Sequence, residues 1–102
     1  MSNWVQVANI SEIPPGEGKE FTVNDRILAV FNIEGVFRAV DGICAHAGGP
    51  IGEGALSGCV VTCPWHGWQY DVTSGAMCLN EQIRLETFSV KIDGDSILVE
   101  MP

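Results

Sequence analysis

Apolar and polar positions alternate in short runs along most of this chain. No stretch sustains the three-to-four-residue spacing of an amphipathic helix. Trp4-Val5-Gln6-Val7 reads as a first strand. Segments 19–23 and 26–32 read as two strands around Asn24-Asp25, and Glu34-Gly35 turns the chain into a strand over 36–40, a hairpin signal. Segments 88–92 and 96–101 flank Asp93-Gly94-Asp95 as a second hairpin. The last strand alternates cleanly, with Ile97, Val99 and Met101 on one face and Leu98 and Glu100 on the other. Segment 10–18 holds Pro14-Pro15-Gly16 and reads as a connection. Only Ser11-Glu12-Ile13 hints at a helical turn. The pattern predicts an all-β fold on an antiparallel β-sheet base.

Segment 41–70 breaks this pattern. It is rich in glycine and proline and poor in charge, and it carries Cys44-Ala45-His46 and Cys63-Pro64-Trp65-His66. His46 and His66 are the only histidines, and sixteen residues separate the two pairs, enough for a loop to bring them together. Gly48-Gly49-Pro50 follows the first pair, and glycines there let backbone N–H groups approach a metal centre's ligands. The chain thus divides into a base, 1–40 and 71–102, and an inserted metal-binding subdomain, 41–70.

At 102 residues the chain is expected to form one domain over 1–102. With 46% hydrophobic and 18% charged residues it can bury a modest core, and a bound metal would reinforce a core that small. The net charge of −8, from 5 basic and 13 acidic residues, argues against nucleic acid as a partner. No apolar run approaches the ~20 residues of a membrane helix, so no membrane partner is expected. Met1-Ser2-Asn3-Trp4 shows no secretory signal, so a cytoplasmic location is expected. Four cysteines in a short chain allow two disulfides, but the missing signal and the pairing of two of them with the only histidines count against that.

Two thiolates and two imidazoles suit three kinds of centre. Structural zinc uses this donor set, though the usual finger groups its cysteines in one knuckle and its histidines on one helix. A mononuclear copper or iron site is a second candidate, but nothing suggests its axial ligand or carboxylate. A [2Fe–2S] cluster with cysteine on one iron and histidine on the other is the third, and it suits mixed knuckles, since each loop gives one ligand to each iron.

Cys-x-His, sixteen residues, then Cys-Pro-x-His-Gly resembles the Rieske iron–sulfur proteins. Gly67-Trp68-Gln69-Tyr70-Asp71 and the turn Thr73-Ser74-Gly75 carry the likeness further. The resemblance implies the Rieske fold, an antiparallel β-sheet base with an inserted two-loop cluster-binding subdomain. It implies one [2Fe–2S] cluster per chain, with Cys44 and Cys63 on the buried iron and His46 and His66 on the outer iron through Nδ1. An oxidised cluster with two thiolates is neutral, whereas four thiolates leave two negative charges. Histidine ligation therefore raises the potential.

Departures from the family pattern matter. The respiratory and photosynthetic members bridge their ligand loops with a disulfide, and the matching positions here are Gly49 and Trp65. Their serine donor to the cluster is matched by Trp68, while Tyr70 stands where their tyrosine donates to a ligand sulfur. Fewer donors stabilise an added electron less, so a potential near the low end of the family range is expected. Cys59, about 13 Å from Cys63 at about 3.3 Å per residue of strand, is read as a small buried hydrophobe, as is Cys78. Trp65 and Trp68 are read as shielding the centre, with a partner-docking surface as the alternative, and Trp4 as core. Glu12, Glu17, Glu20, Glu81 and Glu86 are read as solvated surface.

A cluster of this kind exchanges one electron and has no open coordination position, so the chain reads as a carrier and not an enzyme. Ring-hydroxylating oxygenases place such a domain before a mononuclear iron that needs two further histidines and a carboxylate. Both histidines here are already used. The resemblance implies a Rieske ferredoxin that takes electrons from an NAD(P)H-dependent flavin reductase and passes them to a terminal oxygenase. Two alternatives stand beside it, the small subunit of an assimilatory nitrite reductase and a structural zinc module for protein interaction.

Overall fold

A computed structural model describes residues 3–45, 48–65 and 67–101 of the chain. The described elements form three antiparallel sheets and two short 3-10 turns, as the all-β pattern requires. No helix among the described residues is long and apolar enough to cross a membrane.

One strand organises the layers. Ile27-Leu28-Ala29-Val30-Phe31 is a continuous apolar run, and its strand, β3 (Arg26–Ile33), is buried on both faces. A strand apolar on both sides must be covered on both sides. β3 lies between β2 (Gly18–Val23) and β4 (Val36–Asp41), and β4 also pairs with the short β10 (Thr87–Phe88). Both hairpin turns, Asn24-Asp25 and Glu34-Gly35, take positive φ throughout, at 51°, 65°, 52° and 91°. That is the conformation of a two-residue loop whose twist matches the strands.

Leu28 and Val30 face one core with Ala39, Phe88, Ile97, Val99 and Met101. Its far wall is the sheet of β1 (Asn3–Asn9), β12 (Ser96–Met101) and β11 (Val90–Asp93), with β12 in the middle. Ala29, Phe31 and Val40 face a second core with Val61, Tyr70, Val72, Met77 and Leu85. That core is covered by five strands in sequence order: β5 (Ala55–Ser57), β6 (Val60–Thr62), β7 (Gln69–Asp71), β8 (Ala76–Met77) and β9 (Asn80–Arg84). Cys44 and Cys63 belong to this second core.

Several local readings change. The strand expected over 88–92 is two strands, because the chain changes sheets at Ser89: Phe88 pairs with Ala39, and Val90 pairs with Val99 of the other sheet. The short helical turn is a 3-10 turn over Ile10–Glu12, where the Asn9 N–H donates to Glu12 Oε2 at 2.7 Å. Trp4 is not core. Alternation along β1 sends Val5 and Val7 inward and Trp4 outward, 39% exposed beneath the Lys91 ammonium at 4.4 Å from its ring. Cys59 is not on a strand but in the β5–β6 turn, half-buried, and Cys78 lies exposed in the β8–β9 turn. All five named glutamates are exposed.

Candidate metal centre

The first ligand loop leaves β4 at Asp41. The Asp41 carboxylate accepts from the Ile43 N–H at 3.1 Å, an Asx-type turn that starts the loop. The entry is fixed from outside as well. Gly42 N–H donates to the Ile27 carbonyl at 2.9 Å, and the Arg26 guanidinium pairs with Asp41 and Glu86. The loop then closes on itself. Ile43 bridges Pro50, Cys44 N–H donates to the Gly49 carbonyl at 2.9 Å, and Gly48 N–H donates back to the Cys44 carbonyl at 3.0 Å.

The second loop joins β6 to β7. Val61 faces Tyr70 and Thr62 faces Gln69, and the Cys63 N–H donates to the Trp68 carbonyl at 2.7 Å, one step further along the same ladder. Alternation places Val61 and Cys63 on the face turned to the second core. Both thiols are buried, Cys44 at 2% and Cys63 at 1% exposure. They belong to the same core cluster and are near enough for the charge of one to act on the other. Burial pushes the Cys63 thiol up from its ordinary value, and the neighbouring Cys44 adds to that rise.

Tyr70 completes this floor. Its side chain is fully buried, with the hydroxyl 3.3 Å from Cys44 Sγ. The Ala45 N–H donates to the same oxygen at 3.2 Å. The hydroxyl thus bridges the Ala45 N–H and the Cys44 sulfur, and with a thiolate at Cys44 it is the phenol that donates to sulfur. Burial first, and the Cys44 contact second, push the phenol well above its ordinary value, so it keeps that hydrogen. Gly49 forms the opposite wall. A Cβ placed there would stand 2.6 Å from Cys63 Sγ and 3.0 Å from Trp65 Cβ, so only glycine fits between the loops.

Two buried thiols side by side, with a phenol aimed at one of them, fit a metal centre. Burial disfavours a thiolate until a cation accompanies it, and a cation in the thiolates' company removes that penalty. Two cysteines are also the donor set the buried iron of a Rieske cluster requires. Cys44 and Cys63 are therefore brought together as their spacing predicts. His46 and His66, the other two expected ligands, lie outside the described residues. Among the described residues, no three histidine, cysteine or acidic side chains converge. No disulfide joins any of the four cysteines. Cys59 lies at the far end of β6 from Cys63.

Of the two tryptophans expected to shield the centre, Trp68 packs half-buried against the second core, while Trp65 is 51% exposed. The sequence reading missed the Asp41 turn, although Asp-Gly at a strand end signals it. It also missed the Ala45 N–H that orients Tyr70, for which no sequence signal exists.

A family model described as the Rieske [2Fe-2S] domain matches residues 3–89. The ferredoxin component of the naphthalene 1,2-dioxygenase system of Pseudomonas aeruginosa is 31% identical over 99 residues, covering 96% of this chain and 95% of that protein. Among solved structures, a complex of reduced oxygenase and oxidized ferredoxin in carbazole 1,9a-dioxygenase contains a chain similar to this one. The TM-score is 0.85 at 28% identity, covering 94% of this chain and 91% of the other. A candidate NADH-dependent nitrite reductase small subunit from Mycobacterium tuberculosis superposes with a TM-score of 0.91 over 100% of this chain and 97% of its own. At 16% identity that likeness carries the fold alone. The loop spacing, the paired buried thiols and the match over most of the chain agree, and the chain belongs to the Rieske [2Fe-2S] domain family.

Proposed function

We propose that this chain is a soluble, cytoplasmic one-electron carrier that holds one [2Fe–2S] cluster through Cys44, His46, Cys63 and His66. It takes electrons from a flavin-dependent reductase and delivers them to a terminal oxygenase. The chain works as a single domain over 1–102, with segment 41–70 as its cluster-binding part. The observation that carries this reading is the pair of thiols, buried side by side between Gly49 and the Tyr70 hydroxyl.

When bound, the cluster supplies a site that gains and loses one electron. The chain's residues do the rest. Cys44 and Cys63 anchor the buried side through sulfur. Tyr70 donates a hydrogen bond to Cys44, which stabilises negative charge on that sulfur. Gly49 and Trp65 seat the two loops against each other without a covalent link. The second core beneath excludes water from the thiols. Relatives of this chain are named as ferredoxin components of dioxygenase systems, which supports its serving as the electron-transfer component of an oxygenase system and not as its catalyst.

Electron paramagnetic resonance before and after dithionite, with metal analysis, tests this directly. The expected result is two irons per chain, a silent oxidised state, and a reduced signal with the low average g-value of histidine-ligated clusters. Zinc in place of iron, with no signal, overturns the reading and leaves a structural module. Stable co-purification with a large flavin- and sirohaem-containing chain would instead identify a nitrite reductase subunit.

A further inference from the structure

Among the described residues Arg26 is the only cation paired with two carboxylates, in a chain with 5 basic residues against 13 acidic. Its Nη2 lies 3.8 Å from Asp41 Oδ2 and 2.5 Å from Glu86 Oε1. The guanidinium also lies over the Phe88 ring, 4.8 Å from its centroid, and Phe88 belongs to the first core. The cation is thus seated on the base and reaches the strand end where the first ligand loop begins.

The two oxygens of Asp41 face different partners. Oδ1 accepts from the Ile43 N–H at 3.1 Å, and Oδ2 faces Arg26. The backbone before Ile43 is tied independently, since Asp41 N–H donates to the Glu86 carbonyl at 2.8 Å and Gly42 N–H to the Ile27 carbonyl at 2.9 Å. Ile43 comes next, and Cys44 follows it. The direction of the Asp41 side chain therefore governs how the chain enters Cys44. That direction depends on the cation. Without it, the Asp41 and Glu86 carboxylates share a site with no positive charge between them and repel. Asp41 then turns away, and the Ile43 N–H loses its acceptor. The Arg26 side chain is 33% exposed and that of Asp41 31%, so solvent screens this interaction without removing it.

We propose that Arg26 is a positioning residue for the cluster: it aims the Asp41 carboxylate, which holds the first ligand loop so that Cys44 meets the Tyr70 hydroxyl. This rests on the reading that Cys44 and Cys63 hold a [2Fe–2S] cluster. The Tyr70 hydroxyl stands 3.3 Å from Cys44 Sγ and comes from β7, whereas Cys44 is carried by the loop. A shift in the loop's entry opens that contact and weakens the support for negative charge on sulfur.

The test compares purified holoprotein of wild type, Arg26→Gln, Arg26→Lys, Tyr70→Phe and the double variant Arg26→Gln/Tyr70→Phe. Protein-film voltammetry gives the potential, and decay of visible absorbance under a chelator gives the rate of cluster loss. Arg26→Gln is expected to lose its cluster about fivefold faster, the factor that corresponds to about 1 kcal/mol, and to have a more negative potential. Arg26→Lys, whose ammonium can still lie between the two carboxylates, is expected to stay within about twofold of the wild-type rate. In the Tyr70→Phe background Arg26→Gln should no longer move the potential, since the contact it positions is gone. An equal shift in both backgrounds is a plain charge effect and overturns the proposal. So does an Arg26→Gln protein with a lower Tm and an unchanged potential, or an Arg26→Lys protein that behaves as Arg26→Gln does. A wild type that holds zinc and gives no resonance signal defeats the cluster reading, and this proposal with it. A wild type that holds its cluster, with potential and loss rate unchanged in Arg26→Gln, defeats this proposal alone.

Discussion

Replacing Tyr70 by Phe removes one hydroxyl from a buried position and leaves the ring's volume in place. Two interactions go with it, the bond to Cys44 Sγ and the acceptor for the Ala45 N–H. A hydrogen bond to a charged group contributes about 1.5–3 kcal/mol. Cys44 is anionic in both redox states of a bound cluster, so most of that is common to the two. Reduction adds negative charge, and a bond that strengthens by about 1 kcal/mol on reduction corresponds to about 40 mV, since a tenfold change is about 1.4 kcal/mol and 59 mV for one electron. The variant's potential is therefore expected about 40 mV more negative.

Stability should fall as well, because the Ala45 N–H loses its partner. A part-buried donor of this kind costs about 1 kcal/mol, which in a domain of this size lowers Tm by about 4–8 °C. Protein-film voltammetry and thermal melts of the holoprotein read the two effects separately. A lower Tm with an unchanged potential, at full cluster content, refutes the donation to sulfur and leaves Tyr70 a purely structural residue.

Gly49→Ala places a methyl 2.6 Å from Cys63 Sγ, so it should cost roughly 1–3 kcal/mol and lower iron content, read by metal analysis against wild type. His46→Cys should give a more negative potential if a cluster assembles, because a third thiolate adds negative charge; an unchanged potential removes His46 from the ligands. Alkylation of the holoprotein by iodoacetamide, followed by mass spectrometry, should modify exposed Cys78 before half-buried Cys59 and spare Cys44 and Cys63. With Trp68 at the family's serine position, voltammetry at neutral pH should give a potential near the low end of the Rieske range, and a strongly positive value contradicts the counting of donors.

The sequence was most legible where the physics is local. Asn24-Asp25 and Glu34-Gly35 adopt the positive-φ turns their residue types favour, so the three strands they join fall close to their expected places. The alternation of Ile97, Val99 and Met101 survives intact because one face of β12 meets a core and the other does not. Reading fails where a second layer decides. Nothing between Phe88 and Ile92 announces that Ser89 hands the chain from one sheet to another. Trp4 looks like core by composition, yet the register of β1 turns it to solvent. At the centre, the spacing of Cys44 and Cys63 was enough to predict their meeting, since each lies next to a closed turn. The Tyr70 contact followed from the family resemblance, but its orientation by Ala45 depends on a backbone group that no side-chain pattern encodes.

Gly49 and Trp65 show how a departure from the family pattern can preserve its geometry. A Cβ at Gly49 would lie 3.0 Å from Trp65 Cβ, closer than the roughly 3.5–4.5 Å between the β-carbons of a disulfide. The two loops thus approach as tightly as a covalent bridge would hold them, yet no thiol is present at either position. Packing of Trp65 on the bare Gly49 backbone replaces the bridge on one side. A metal centre that drew one ligand of each kind from each loop, as proposed, would replace it on the other. In a reducing compartment this arrangement has an advantage, because no inter-loop disulfide can be lost. It also places more of the loop-to-loop cohesion on the cluster itself. The base has its own core, from Leu28 through Val99, which owes nothing to the ligand loops. A bound cluster held by these loops would therefore support chiefly the second core and the loops above it, while the first core has its own packing.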